Sequence, residues 1–343
     1  MSSLPTENRI ATPEGPVLSA GWRALPPAYA IPDHAPSLQE AQQYCARLAH
    51  SHYENFSVVT WFLPRHLHQH FYNVYAYCRI SDDLGDEVGD ARQALALLDE
   101  WEAELNATYM SMVEPPLKDV RQTAENLEPD LPGRNQLAPR HPVFIALRET
   151  IRKFDIPRQP FADLLTAFRQ DQTVGRYATF DDVLGYCLYS ANPVGHLVLY
   201  LCGYRDPERQ KLSDYTCTAL QLANFWQDVV VDYAKQRIYL PLEDLAKYGV
   251  SESDIAERRA TPQFLEMMKF EVARAREWFQ MGLPLAKNVD KQLALDIVLF
   301  SRGGQEILNA IERQSYDVLK RRPAISKPRK LWLVARAALG KLL

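Results

Sequence analysis

The sequence predicts an all-α, single-domain helical bundle with a ligand cavity between facing helices. Apolar residues recur at helical spacing in nine separate segments. No run of alternating strand-like residues lies between them, and no internal repeat of fixed period is present. Bundles of this kind place ligand sites between facing helices.

The 343 residues, 47% hydrophobic, suffice for a large core. A formal charge of −4 supplies no basic field, so nucleic acid is not an expected partner. Cys45, Cys78, Cys187, Cys202 and Cys217 are odd in number, widely spaced and free of a CxxC, which argues against a disulfide framework or a zinc site and fits a reducing cytoplasm. No basic segment followed by an apolar run opens the chain, and no stretch approaches the ~20 apolar residues of a spanning helix. The expected location is the cytoplasm, either free or at the inner face of the membrane.

Residues 1–36, rich in Pro, Ser, Gly and Ala, read as an irregular arm. The helical domain is expected over 37–325. Ser37 and Glu40 have the spacing of a capping box ahead of a helical pattern at 41–48. Pro64 should open a long helix through His66, Phe71, Val74, Tyr75, Cys78 and Asp82, because proline is tolerated in a first helical turn. A third pattern covers 91–112. Residues 113–141 carry five prolines and little hydrophobic repeat, which predicts a long loop or flap. Further helical patterns follow at 142–154, 160–172, 180–203, 208–233, 262–281 and 289–319. The final segment, 326–343, sets Lys327, Arg329, Lys330, Arg336 and Lys341 among Trp332 and several leucines, a pattern that fits either an interfacial membrane helix or a core-packing terminal helix.

Two polar clusters interrupt this apolar background. In CRISDDLGDE, Asp82 and Asp86 stand four residues apart, so their carboxylates share one helix face about 5–6 Å apart at Cβ and repel unless cations hold them. Asp83 and Glu87 repeat the spacing about 100° away, so one pair can face a cavity while the other faces water. In NFWQDVVVDYAKQR, Asn224, Asp228 and Asp232 form one stripe on a helix otherwise made of Leu222, Phe225, Trp226, Val229 and Val230. Hard oxygen ligands on two helices, too few to enclose a cation alone, suit Mg²⁺ bridged by phosphate oxygens. The alternative is a solvated face, or local pairing with Arg79, Lys235 or Arg237. His66 and His70 have metal-ligand spacing without a third ligand and read as a solvated face. His196 reads as a satisfied core histidine.

Together with HYENFSVVTWFLP at 52–64, YCLYSANPVGHLVLYL at 186–201 and YDVLKRR at 316–322, these clusters make five separated motifs in an order that resembles the squalene and phytoene synthase family over roughly 38–335. The HYENF, SANPVG and NFWQD elements are most similar to its hopanoid-pathway branch, associated with hydroxysqualene formation from presqualene diphosphate. The resemblance implies an isoprenoid-synthase helical bundle binding two or three Mg²⁺ ions through Asp82 and Asp86 on one wall and Asn224, Asp228 and Asp232 on the other. It implies His52, Arg79 and Tyr186 as catalytic and diphosphate-binding residues, with Asn224, Tyr239 and Arg322 as further contacts. Its partners would be a prenyl diphosphate lipid substrate, a membrane surface met peripherally, and pathway enzymes of squalene and hopanoid synthesis.

The chemistry explains these residue types. Cations neutralise the leaving diphosphate as its C–O bond breaks, and apolar and aromatic walls protect the carbocation that remains. Phe56, Phe71, Tyr75, Tyr189, Phe225 and Trp226 are the candidate aromatic walls. Three departures from the family pattern matter: Gln227 replaces an arginine, Asn192-Pro193 replaces a small-residue step, and Gly303-Gly304 lacks a tyrosine, which opens space. They suggest one diphosphate, ionised and captured by water without NADPH, for which no Gly-rich fingerprint is present. Head-to-head condensation of two prenyl diphosphates is the alternative reaction. A non-catalytic assembly protein of the same fold would have lost aspartates, and both acidic motifs are intact here.

Overall fold

The computed structural model describes residues 32, 34–51, 63–112, 139–326, 328–329, 332 and 335–336. Its helices are α1 (Leu38–Ser51), α2 (Arg65–Asp86), α3 (Ala91–Met110), α4 (Pro142–Phe154), α5 (Gln159–Gln170), α6 (Phe180–Ser190), α7 (Asn192–Leu201), α8 (Pro207–Ala234), α9 (Leu242–Tyr248), α10 (Glu252–Ala256), α11 (Pro262–Gly282) and α12 (Lys291–Arg313). A short 3₁₀ turn, Leu283–Lys287, joins the last two. Among the described residues the only β pairing is a single parallel bridge, Arg176 to Ile238.

Local chemistry sets the boundaries. The Ser37 amide and hydroxyl both donate to the Glu40 carboxylate, while the Glu40 amide returns to the Ser37 hydroxyl, so the expected capping box forms. Pro64 is the N-cap of α2. Asp206 caps α8, with Pro207 in the first turn, where its missing N–H costs nothing. The pattern at 180–203 divides into two helices, because Pro193 has no N–H to continue the ladder and Ala191 becomes the cap between them. Residues 314–319 lie beyond α12, which ends at Arg313, and the short α9 and α10 occupy a stretch where no helix was expected.

Two large apolar cores flank the ligand region. One gathers α1 to α5 with α7, and the other gathers α6 with α8 to α12. α2 is anchored on its back face. The Trp101 indole N–H donates to Ser81 Oγ at 2.8 Å, and the Tyr77 hydroxyl donates to the Phe161 carbonyl at 2.9 Å, all four residues being buried. α2 and α8 face each other across the space between the cores and run in the same direction. Their N-terminal halves line one cavity, and their C-terminal ends meet through ion pairs to Asp86.

Candidate active site

Helical periodicity builds the cavity and its mouth from one stripe on each helix. On α2 the stripe is Phe71, Val74, Tyr75 and Cys78, then Asp82. On α8 it is Ser213, Thr216, Cys217 and Leu220, then Asn224 and Asp228. Leu199, Ile297 and Phe300 from α7 and α12 close the wall around a cavity of about 370 Å³. Eleven residues separate Phe71 from Asp82 and Ser213 from Asn224, so the apolar shaft extends roughly 16 Å below the polar mouth on both sides. Gly195 lets α7 approach α8 closely: a Cβ there would stand 2.2 Å from Ser213 Oγ.

The mouth carries concentrated negative charge. Asp82 and Asp86 sit in the last turns of α2, and Asp232 in the last turn of α8, where the helix dipoles are also negative. Burial within the cleft, reinforced by Asp86, pushes the Asp82 carboxyl up to about 7. Its side chain keeps 46% of its surface, so solvent tempers the effect. Burial, reinforced by Asp228, likewise pushes Asp232 up to about 7.

Internal cations answer part of this charge. Asp86 receives Lys235 and Arg237, each at 2.8 Å, and although burial works against ionisation, these two cations hold its carboxyl below the usual range. Arg322 forks onto Asp228, with Nη2 at 3.0 Å from Oδ2. Arg79 pairs closely with Asp83 and lies 3.8 Å from Asp82. Asp232 has no ion pair among the described residues.

A backbone crossing supplies these groups. At the end of α8 the amides of Lys235 and Arg237 donate to the Asp232 carbonyl, with Gln236 in the left-handed region at φ 63°. The chain then pairs with the segment after α5, the Ile238 amide donating to the Gly175 carbonyl at 2.8 Å. Only glycine fits at 175, since a Cβ would lie 2.6 Å from the Gln236 carbonyl oxygen. This crossing brings Tyr239 and Arg237 to Asp171. The Tyr186 hydroxyl donates to Asp171 Oδ2 at 2.8 Å and the Tyr239 hydroxyl to Oδ1 at 3.2 Å. Burial raises the Asp171 carboxyl to about 6 against the pull of Arg237. Phe225 stacks on Tyr239 at 3.9 Å, and Gln172 ties the same turn to the Gly85 carbonyl at 2.8 Å.

Nine of the ten expected site residues, Arg79, Asp82, Asp86, Tyr186, Asn224, Asp228, Asp232, Tyr239 and Arg322, fall around this mouth or in its supporting shell. The tenth, His52, lies outside the described residues, as do Phe56 and residues 113–138 of the expected flap. The sequence missed Asp171 as a constituent of the site; Lys235 and Arg237, expected only as local ion-pair partners of the acidic motifs, pair instead with Asp86 on the opposite wall. A polar Asp-Gln pair ending the apolar α5 just ahead of Gly175 was the available signal. Among the described residues no three His, Cys, Asp or Glu side chains converge as a ready-made metal cage. The donor set nevertheless suits a hard divalent cation completed by ligand oxygens: carboxylates on two walls, two of them, Asp82 and Asp232, pushed up to about 7 chiefly by burial.

Other expectations change with the structure. Asp83 does not face water: it is buried against Arg79. His70 is not on a solvated face. Its Nδ1 lies 3.0 Å from Thr150 Oγ1, and burial with nearby Lys153 lowers it to about 4. His196 is satisfied as expected, by Asp214 at 2.8 Å, but half-buried rather than in the core. Phe71 and Tyr75 line the cavity, whereas Trp226 is core and Tyr189 is exposed. Gly303 is open, but the space at Gly304 is filled, a Cβ there meeting the Phe279 ring at 2.4 Å. Gln227 points away from the mouth, its amide donating to the Pro323 carbonyl at 2.6 Å. The Arg329 and Arg336 guanidiniums stack on Trp332, and Arg329 also pairs with Glu306. No helix among the described residues is long and apolar enough to cross a membrane.

Comparison with known proteins places this architecture. The squalene/phytoene synthase family profile matches residues 49–329. The solved squalene synthase HpnC from Alicyclobacillus acidocaldarius is 43% identical, with a TM-score of 0.70, over 81% of this chain and 95% of that one. A dehydrosqualene synthase solved with a ligand shares the fold at 24% identity and a TM-score of 0.73, over 88% of this chain and 97% of that one. The phytoene synthase of Arthrospira platensis is 26% identical over 317 residues, 88% of this chain and 93% of that protein.

Proposed function

Because the chain belongs to the squalene/phytoene synthase family of prenyl diphosphate-processing enzymes, we propose that it ionises presqualene diphosphate and lets water capture the rearranged cation, giving hydroxysqualene. One observation carries the site assignment: the stripes that form an apolar shaft on α2 and α8 end in facing acidic motifs. A ligand with a long hydrocarbon body and a strongly anionic head matches that division. Mg²⁺ held by Asp82, Asp86, Asn224, Asp228 and Asp232 would neutralise the departing diphosphate. Arg79, Lys235, Arg237 and Arg322 stand at the same mouth with charge to offer the anion. Phe71 and Tyr75 present aromatic surface to the shaft, where a carbocation is sheltered from bulk water.

The reaction is favoured by the HYENF, SANPVG and NFWQD elements and by the 43% identity to the squalene synthase HpnC of Alicyclobacillus acidocaldarius. A second reading, condensation of two prenyl diphosphates, draws on the phytoene synthases among the relatives, such as the 27% identical protein of Synechococcus elongatus. Incubation with presqualene diphosphate and Mg²⁺, without NADPH, should release hydroxysqualene. Unchanged substrate there, with farnesyl or geranylgeranyl diphosphate consumed instead, would establish the condensation reading. The C-terminal arginines on exposed Trp332 support peripheral membrane contact, testable by flotation with anionic vesicles.

A further inference from the structure

Consecutive residues of α8 hold consecutive residues of the chain's C-terminal part. Gln227 is buried and donates from Nε2 to the Pro323 carbonyl at 2.6 Å. Asp228, next along the helix, receives the guanidinium of Arg322 in a fork. The two contacts point in different directions: the amide bond lies in the protein interior, while Arg322 remains 52% exposed at the edge of the mouth. An exposed arginine has many conformations, and a rigid anchor on the adjoining residue restricts the volume it searches.

We infer that Arg322 is a displaceable internal counter-ion for Asp228, positioned by Gln227 through Pro323, which leaves the carboxylate for the anionic ligand when a divalent cation arrives. Asp228 has a small set of acceptor positions, and a forked guanidinium uses both oxygens. Metal and arginine therefore compete for the same carboxylate. The released guanidinium stays tethered within reach of the mouth, where its fork suits a diphosphate. The same logic recurs on the other wall, where Asp86 is held by Lys235 and Arg237 from the crossing after α8. Gln227 is on this account a positioning residue that never touches the ligand.

The inference rests on Asp228 being a metal ligand, and one set of titrations separates the two claims. Mg²⁺ is titrated calorimetrically into the full-length protein, and inorganic pyrophosphate is titrated into the Mg²⁺-saturated protein. For Arg322→Gln, Mg²⁺ should bind about two- to fivefold more tightly, the range expected from losing a half-exposed ion-pair competitor. Pyrophosphate should bind about tenfold or more weakly, reflecting lost charge-assisted hydrogen bonds. Gln227→Leu should move both affinities in the same opposed directions by smaller factors, and Arg322→Lys should restore part of each. A merely structural contact would weaken both ligands together. Parallel losses in Arg322→Gln, or unchanged Mg²⁺ affinity, would overturn the inference. Should Gln227→Leu fail to fold by circular dichroism, the two Arg322 variants still decide it. Asp228→Asn left with full Mg²⁺ affinity would instead sink the metal assignment itself.

Discussion

Replacing Asp296 by asparagine should change how stability depends on pH, in the sense opposite to the usual aspartate. Asp296 lines the apolar cavity from α12, is 2% exposed, and neither carboxylate oxygen has a hydrogen-bond partner among the described residues. Burial, with Asp290 adding repulsion, pushes it up to about 8. Below about pH 4 the side chain is protonated in both folded and unfolded chains and contributes no slope. Between about 4 and 8 the unfolded chain has released the proton and the folded chain has kept it, so stability falls as pH rises, by about 1.4 kcal/mol per pH unit. From pH 5 to 7 the difference between wild type and Asp296→Asn should therefore shift by about 2.7 kcal/mol in favour of the variant. At about 2 °C per kcal/mol for a chain of this length, that is a relative gain of roughly 5 °C. Thermal unfolding of both proteins at pH 5, 6 and 7 measures it. Other raised carboxyls, such as Asp82, Asp232 and Glu271, contribute alike to both and cancel in the difference. Parallel melting curves would refute the reasoning and show that Asp296 is solvated or paired in solution.

The Asp82→Asn and Asp228→Asn pair should lower turnover at least 10²-fold, on the order of losing a group that stabilises transition-state charge, with near-wild-type circular dichroism; undiminished product formation by mass spectrometry would end the active-site assignment. Gly175→Ala should lower the melting temperature by roughly 2–6 °C for about 1–3 kcal/mol of strain, since the new methyl meets the Gln236 carbonyl at 2.6 Å, and should weaken pyrophosphate binding as Arg237 shifts. Tyr186→Phe should cost about 1 kcal/mol in denaturant melts by removing one donor from half-buried Asp171, and the Tyr186→Phe, Tyr239→Phe double variant should cost more than twice that because it strips both. Simple additivity in the cycle would argue against one shared network.

Helix spacing made the central division of the molecule legible. Asp82 and Phe71 on α2, like Asp228 and Leu220 on α8, share faces by arithmetic alone, so both acidic motifs and the shaft below them follow from periodicity. The ends of helices were less legible where tertiary geometry decides. Asp171 joins the site only because Gly175 lets one chain segment cross another, and that crossing also carries Lys235 and Arg237, legible as candidate ion-pair partners, to Asp86 on the opposite helix. Asp83 was misread for a related reason: Arg79, one turn earlier, buries it, and i,i+4 spacing does not say which of two adjacent carboxylates an arginine will choose. Gln227 was legible as a departure from the family pattern. What it holds, a carbonyl 96 residues on, was not.

The charge arrangement also accounts for how the acidic ends of α2 and α8 are held together. Asp82, Asp86, Asp228 and Asp232 at the negative poles of two helices would drive the ends of α2 and α8 apart if left alone. Three cations from outside those helices, Lys235, Arg237 and Arg322, are inserted at Asp86 and Asp228, while Asp82 has only Arg79 at 3.8 Å and Asp232 has no ion pair among the described residues. Partial compensation has a functional consequence. Full pairing of all four carboxylates would add further ion pairs that an entering cation would have to displace. Leaving Asp232 without an ion pair, and Asp82 with only Arg79 at 3.8 Å, would favour entry of the Mg²⁺ proposed above. The sequence achieves this with residues that follow the helices in the chain and swing back to cap them, so the same short crossing that orders Tyr239 and Asp171 also sets how much charge the mouth retains.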